Sequence, residues 1–485
     1  MKSLEFTMHD SRFTIQKSRL AIFIVHCALC IVHCSAQDLK YYRYDTDLLT
    51  KEFHKGRRQA LREKMPENSV AVLFANPERN RSNDDDFQYH QDPNFYYLTG
   101  FTEPNSMVFI FKTSQTLNGV AADEFLFVPD RSPSAELWTG RRAGKEGAKE
   151  LTGIKGVFLA TDFDSMEIDF KKFDKVLYSV PKGVAENTFD KDGLYQLIES
   201  FKKKASFPPQ NGDRKALITA LGELREIKSP EEIVLLRKAI DISCQGHIEI
   251  MKGLKPGMYE YDAQAIGEYV FKRNGSEYVG YPSICGGAEN SCILHYESNR
   301  RPLKSGDIQL DDMGAEYHGY TADVTRTIPV NGKFSPEQKA IYELVLKAQE
   351  AGFKACQPGN DFSDPLKAVA EVIKKGLVEL GIIKNETDYR KYFPHGSSHY
   401  LGLDVHDASG RSKFKEGVVL TVEPGIYIPE GSPCDPKWWN IGVRIEDDIL
   451  ITKNGYENLS SSAPRTVEAI EATMKQPSLW VKDKR

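Results

Sequence analysis

The spacing of apolar positions changes along this chain, and the changes mark its elements. Leu48 to Met65 is dense in Lys, Arg and Glu and predicts a polar helix within the stretch that begins near residue 38. Val70 to Phe74 is an unbroken apolar run of strand length, Asn76 to Asn83 a polar loop, and Met107–Phe111 and Glu124–Val128 predict two more strands. Residues 38–212 therefore read as an α/β domain. Pro208, Pro209, Asn211 and Gly212 break the pattern, so a second domain is expected over 213–475.

The second domain repeats one design. Ser229-Pro230-Glu231-Glu232 is a capping box with proline at the first helical position, where its missing N–H costs nothing. Behind it Ile233, Leu236, Ala239 and Ile240 form one apolar face, up to Lys255-Pro256-Gly257. Ser335-Pro336-Glu337-Gln338 opens another helix in the same way, with Ile341, Leu344, Val345 and Ala348 as its apolar face, up to Gln357-Pro358-Gly359. Each Pro-Gly is followed by a helical pattern and then a histidine: His295 lies 39 residues past Pro256, and His399 lies 41 past Pro358. Strand-like runs with acidic residues come next in both copies. A duplicated α/β unit with a site between its halves is the expectation.

Before all this, Lys17 and Arg19 precede an apolar run from Leu20 to Val32, and Cys34-Ser35-Ala36 offers small residues for cleavage. Residues 1–36 thus read as a signal peptide, with Met8 an alternative start, and predict export to the periplasm or beyond the cell; otherwise the protein is cytoplasmic. No later stretch reads as a membrane span, so no stable membrane anchor is expected. The remaining cysteines, Cys244, Cys285, Cys292, Cys356 and Cys434, are odd in number and lack zinc spacing, and read as unpaired thiols. With 40% apolar residues the chain can bury a sizeable core, and a net charge of -5 without a basic face excludes nucleic acid as an expected partner.

Three clusters carry candidate chemistry: Asp307 to Gly314 with Thr321 to Thr327; His395 to His399 with Gly402 to Asp407; and Leu420 to Gly425 with Gly442 to Asp448. Their carboxylates interrupt apolar runs, Val422 preceding Glu423 and Ile445 preceding Glu446. A carboxylate in a buried strand is costly unless paired or bound to a cation. Arg326 or Arg444 could answer one of them as a structural salt bridge. Several such sites, with three of the eleven histidines between 395 and 406, need more positive charge than two arginines supply. An oxygen-rich set with imidazole favours Mn2+, with Co2+, Fe2+ or Zn2+ as alternatives, and that many carboxylates suit two ions rather than one. Metal-assisted hydrolysis is the reaction class implied.

These clusters resemble those of the M24 metallopeptidases, the pita-bread fold, and most nearly the aminopeptidase P (Xaa-Pro aminopeptidase) group. The resemblance also takes in Tyr89 to Phe101 and Trp138-Thr139-Gly140-Arg141-Arg142. It implies an α/β (α+β) fold, with a creatinase-like N-terminal domain before a pita-bread domain of pseudo-twofold repeat. It implies metal ligation by Asp312, Asp323, His399, Glu423 and Glu446, the eleven-residue spacing selecting Asp312 over Asp311. On a strand those two neighbours face opposite ways. It further implies catalytic roles for His295, His406 and Glu423, substrate contacts from His295, His395, His406 and Arg411, and a supporting role for Arg444. The implied activity is that of a dinuclear-metal exopeptidase cutting the N-terminal Xaa-Pro bond of peptides with proline second, in a homodimer or homotetramer. A prolidase is the neighbouring alternative, and a metal-free binding module a more distant one. Two departures stand out: Met313 replaces the small residue usual after the first ligand, and the stretch between His406 and Arg411 is short.

Overall fold

The computed structural model describes residues 43–187, 191 and 193–478; the expected signal peptide lies outside the described residues. The chain divides into two compact units, with the division after Gly212 apart from Glu63–Met65, which cluster with the second.

In the first unit, helix α1 (Lys51–Lys64) precedes a five-stranded sheet of β1 (Ser69–Phe74), β2 (Met107–Leu117), β3 (Val120–Val128), β4 (Gly156–Leu159) and β5 (Lys175–Ser179), in the order β4-β3-β2-β1-β5. β2 and β3 form a hairpin longer than its apolar runs suggest, because its outer half is polar and half-exposed. The expected loop 76–83 instead contributes Asn80–Ser82 to a small exposed hairpin with Asp85–Asp86. Helix α2 (Leu194–Ala205) packs Leu197, Ile198 and Phe201 into a phenylalanine-rich core on the sheet. Phe109 meets Phe111, Phe127, Phe163 and Phe170 edge to face, an arrangement worth more than area burial alone.

The second unit shows the duplication. Helix α3 (Pro230–Gly253) is opened by the Ser229–Glu232 capping box and packs on α4 (Glu260–Arg273). Helix α5 (Pro336–Ala355) is opened by the Ser335–Gln338 box and packs on α6 (Asp364–Glu379). Each box stabilises its helix start by about 1 kcal/mol. Between the members of each pair the chain turns at Gly257 and Gly359, with φ of 91° and 89°, a conformation that only glycine adopts cheaply. After the first pair come the antiparallel strands β6 (Ile284–Gly287), β7 (Ile308–Met313) and β8 (Val324–Pro329). After the second come β9 (Val419–Val422), β10 (Gly425–Ile428), β11 (Ile441–Arg444) and β12 (Asp447–Thr452), β9 pairing with β12 and β10 with β11. A backbone bridge between Thr325 and Glu446 joins the two strand groups.

Candidate metal and peptide site

The functional side chains sit where strand ladders stop. Asp312 lies near the end of β7, paired with Thr325 on one side and Ile284 on the other. Asp323 immediately precedes β8, Glu423 falls between β9 and β10, and Glu446 between β11 and β12. His399 runs beside β9, where its N–H donates to the Thr421 hydroxyl at 3.1 Å and its carbonyl accepts the Thr421 N–H at 2.9 Å. These junctions aim all five side chains into one cavity of about 370 Å3, also lined by His295, His395, His406 and Arg444. Arg411 is exposed, adopts φ of 55° and is not among the residues lining the cavity. Asp311 turns away from Asp312 and accepts from the Gln309 amide at 3.1 Å, as strand alternation requires.

His399 is the hub. Its Nδ1 faces the Tyr400 carbonyl at 3.1 Å, so that nitrogen carries the hydrogen. Its Nε2 then faces Asp323 at 3.2 Å and Glu423 and Glu446 at 3.9 Å each. An imidazole lone pair aimed at three carboxylates needs a proton or a cation between them. In the absence of a cation the proton is held: burial opposes the charge, but Asp323 and then Glu423 lift His399 to about 9. Burial raises Asp323, with Asp312 adding to it and His399 opposing. Burial, opposed by His399 and reinforced by Asp323, lifts Glu423 to about 7. Glu446 is pushed well above the carboxylate range by burial and then by Asp323 and Glu423.

One guanidinium serves this cluster. Arg444 donates to Asp312 at 2.6 Å and to the Tyr427 hydroxyl at 3.0 Å. The Tyr427 hydroxyl lies 2.8 Å from His395 Nε2, whose Nδ1 faces the Gly396 carbonyl at 2.6 Å. Nδ1 therefore carries the proton, Nε2 accepts from Tyr427, and Tyr427 accepts from Arg444. Burial and the Arg444 charge hold His395 at about 4, a neutral ring at physiological pH.

Sequence reasoning missed three polar residues here. The Tyr281 hydroxyl lies 2.6 Å from both Asp312 and Asp323 and donates its one proton between them, and Thr325 donates a 2.6 Å hydrogen bond to Glu446. Tyr427 is the third. Each stands in or beside a strand, where tyrosine and threonine are common for packing reasons alone, so nothing local distinguished them.

The surplus of acid fits divalent cations. The donor atoms of Asp323, His399 and Glu446 lie within 4.8 Å of one another, and Asp312 and Glu423 complete a hard, oxygen-rich set around them. Met313 is accommodated beneath the site by Gly267 on α4: a Cβ there would stand 2.6 Å from the Met313 methyl.

Comparison with known proteins agrees with this geometry. Residues 234–453 match metallopeptidase family M24, and residues 54–177 match the aminopeptidase P N-terminal domain. The chain is 38% identical over 450 residues to Xaa-Pro aminopeptidase of Escherichia coli, covering 88% of this chain and 98% of that protein. It is 34% identical to human Xaa-Pro aminopeptidase 3, covering 84% and 81%. Among solved structures, Pseudomonas aeruginosa aminopeptidase PepP superposes with a TM-score of 0.79 at 38% identity, covering 88% of this chain and 99% of that one. E. coli aminopeptidase P with the inhibitor Pro-Leu gives 0.79 at 35% identity, covering 88% and 98%. The chain belongs to metallopeptidase family M24 and, within it, to the Xaa-Pro aminopeptidases of the aminopeptidase P type.

Proposed function

We propose that this protein removes the N-terminal residue from peptides whose second residue is proline, using two divalent cations held by Asp312, Asp323, His399, Glu423 and Glu446. The observation that carries the reading is the lone pair of His399 aimed at three carboxylates, in a cavity where Arg444 is the one permanent cation among the lining residues. Mn2+ suits the oxygen-rich donor set, with Co2+, Fe2+ or Zn2+ as substitutes. When bound, the cations supply Lewis-acid activation of water and of the scissile carbonyl.

The chain's own residues do the rest. Glu423, between β9 and β10, can take a proton from the attacking water and deliver it to the prolyl nitrogen, which has no N–H of its own and leaves as an amine only once protonated. His295 and His406 line the cavity and can donate to oxygen as charge develops on the carbonyl. Arg444, through Tyr427, holds His395 neutral and oriented. Pro282, Ile284, Leu294 and Val405 give the cavity an apolar wall suited to a pyrrolidine ring.

Support for a peptide longer than two residues comes from the solved relative with Pro-Leu bound as inhibitor. Pro-Leu is what remains when the first bond of Xaa-Pro-Leu is cut, and a prolidase would release free proline instead. Export and a homo-oligomeric state remain parts of the proposal, tested by cell fractionation and by light scattering, where a monomeric mass would refute the second. The direct test is to strip the protein with chelator, add back Mn2+, Co2+ or Zn2+ separately, and assay Xaa-Pro-Yaa beside Xaa-Pro. Metal-dependent release of Xaa from the tripeptide supports the reading; preference for the dipeptide would make the protein a prolidase.

A further inference from the structure

His406 lines the cavity and is exposed, yet among the described residues no hydrogen bond holds its ring; its one close partner is His399, edge-on with ring centroids 4.3 Å apart. Its placement must therefore come from its backbone. Directly after it, Asp407 turns the other way, its side chain only 1% exposed, against two cations that are themselves buried. Arg225 donates to both Asp407 and Asp404, and Lys228 donates to Asp407 at 2.9 Å. The Asp407 N–H closes the loop on the Tyr400 carbonyl at 2.9 Å, and Gly402 leaves room for the carboxylate, since a Cβ there would stand 2.3 Å from it. On the far side of the loop Glu226 accepts from the Gly410 N–H at 2.7 Å and the Ser412 hydroxyl at 2.6 Å. Three buried residues, Arg225, Glu226 and Lys228, thus grip the segment from Asp404 to Ser412 at both ends.

We propose that Asp407, clamped by Arg225 and Lys228, is the positioning residue for His406, so that a buried ion cluster outside the cavity sets the reach of this histidine to the scissile bond. Burying two cations and a carboxylate is costly unless geometry is kept, so the cluster allows one arrangement of the loop and penalises others. This inference rests on the Xaa-Pro reading above.

The test is a double-mutant cycle on the full-length, metal-loaded enzyme, using His406→Ala, Asp407→Asn and both together, with Lys228→Met as a milder variant that leaves the Arg225 contact. Asp407→Asn should lower kcat/KM by about 10- to 100-fold, mainly in kcat, since small misplacements of a reacting group cost that much. In the His406→Ala background it should cost less than about 2-fold, because the group it positions is gone. Its thermal unfolding shift should be equal in both backgrounds. Native-state trypsin cleavage after the exposed Arg411 should accelerate in Asp407→Asn and, less, in Lys228→Met. Equal activity losses in both backgrounds, or unchanged cleavage at Arg411, would overturn the proposal. Absence of Xaa-Pro hydrolysis in the parent enzyme would instead sink the underlying reading and leave the trypsin result to decide the clamp.

Discussion

Glu446 and Asp447 are neighbours in sequence, both buried and both acidic, and their surroundings are opposite. Asp447 accepts from Arg326 at 2.8 Å, from the Gln349 amide at 2.8 Å and from the Ser460 hydroxyl at 2.7 Å. Its charge and its lone pairs are answered within the protein. Glu446 accepts from Thr325 and lies 3.9 Å from His399, but burial and the facing Asp323, Glu423 and Asp312 raise its affinity for a proton against the opposing Arg444 charge. Arg326 and Arg444 divide the same way: one closes a structural ion pair, the other leaves a cluster short of positive charge. Burial of an acid is therefore a poor marker of function, and an unanswered buried acid a good one.

That contrast can be broken by mutation. Glu446→Gln should cut activity on the order of 10^3-fold, the scale of losing one electrostatic contact to the reacting centre. It should leave thermal stability of the metal-free protein unchanged or raised, because it removes a buried repulsion. Assaying hydrolysis beside calorimetry checks both halves, and a large loss of stability would put Glu446 in the same class as Asp447. Asp447→Asn should do the reverse, destabilising by about 3 kcal/mol because Arg326 is left buried without its counter-charge. Activity per folded molecule should then hold within a few-fold in denaturant-matched assays.

The packing beneath the cluster offers a sharper and smaller effect. Gly267→Ala should cost no more than about 1–2 kcal/mol, since overpacking against the flexible end of Met313 is partly offset by alanine's helix propensity of about 1 kcal/mol inside α4. Met313→Ala in the same chain should recover most of that loss, and urea unfolding of the single and double variants would measure the coupling; strict additivity would mean that the two residues do not share the space.

The smallest effect is on pH dependence. Glu423, raised to about 7 without cations, contributes least repulsion while protonated, so the metal-free fold loses stability as pH rises from the ordinary carboxyl range through about 7. His399, raised to about 9, contributes stability below its ordinary value of 6.5 and loses it as pH rises through about 9. Both act in one direction, opposed only up to about pH 6.5 by His54, His247 and His395, whose rings burial keeps neutral; from pH 6.5 to 9 the metal-free Tm should therefore fall. Added Mn2+ should raise Tm more at pH 8 than at pH 5.5, because ligation displaces those protons. A flat metal-free profile would contradict the surplus-acid account.

Part of this site was legible in the sequence because acids such as Glu423 and Glu446 interrupt apolar runs, an energetic anomaly visible without coordinates; the full ligand set and the histidines around it came from the resemblance to the M24 family. Nine of the ten residues singled out there line one cavity, and Arg411 does not. The capping boxes and Pro-Gly turns were equally legible, since each is a local motif with a local cause. What stayed hidden depended on distant partners. Arg326 stands out in the sequence as a candidate partner for a buried acid, but nothing marks Asp447, 121 residues away, as that acid, and nothing near His406 announces Arg225 behind Asp407, 182 residues away. The short parallel strands β4 and β5 were also missed, being four and five residues long with partly exposed ends that show no clean alternation.

The central claim, that the unanswered carboxylates are there to hold two cations, is tested most directly by calorimetric titration of the chelator-stripped protein with Mn2+. Two ions bound per chain, with proton release, and fewer in Glu446→Gln but not in Asp447→Asn, is the predicted result. No binding, or binding that Glu446→Gln leaves untouched, would contradict it.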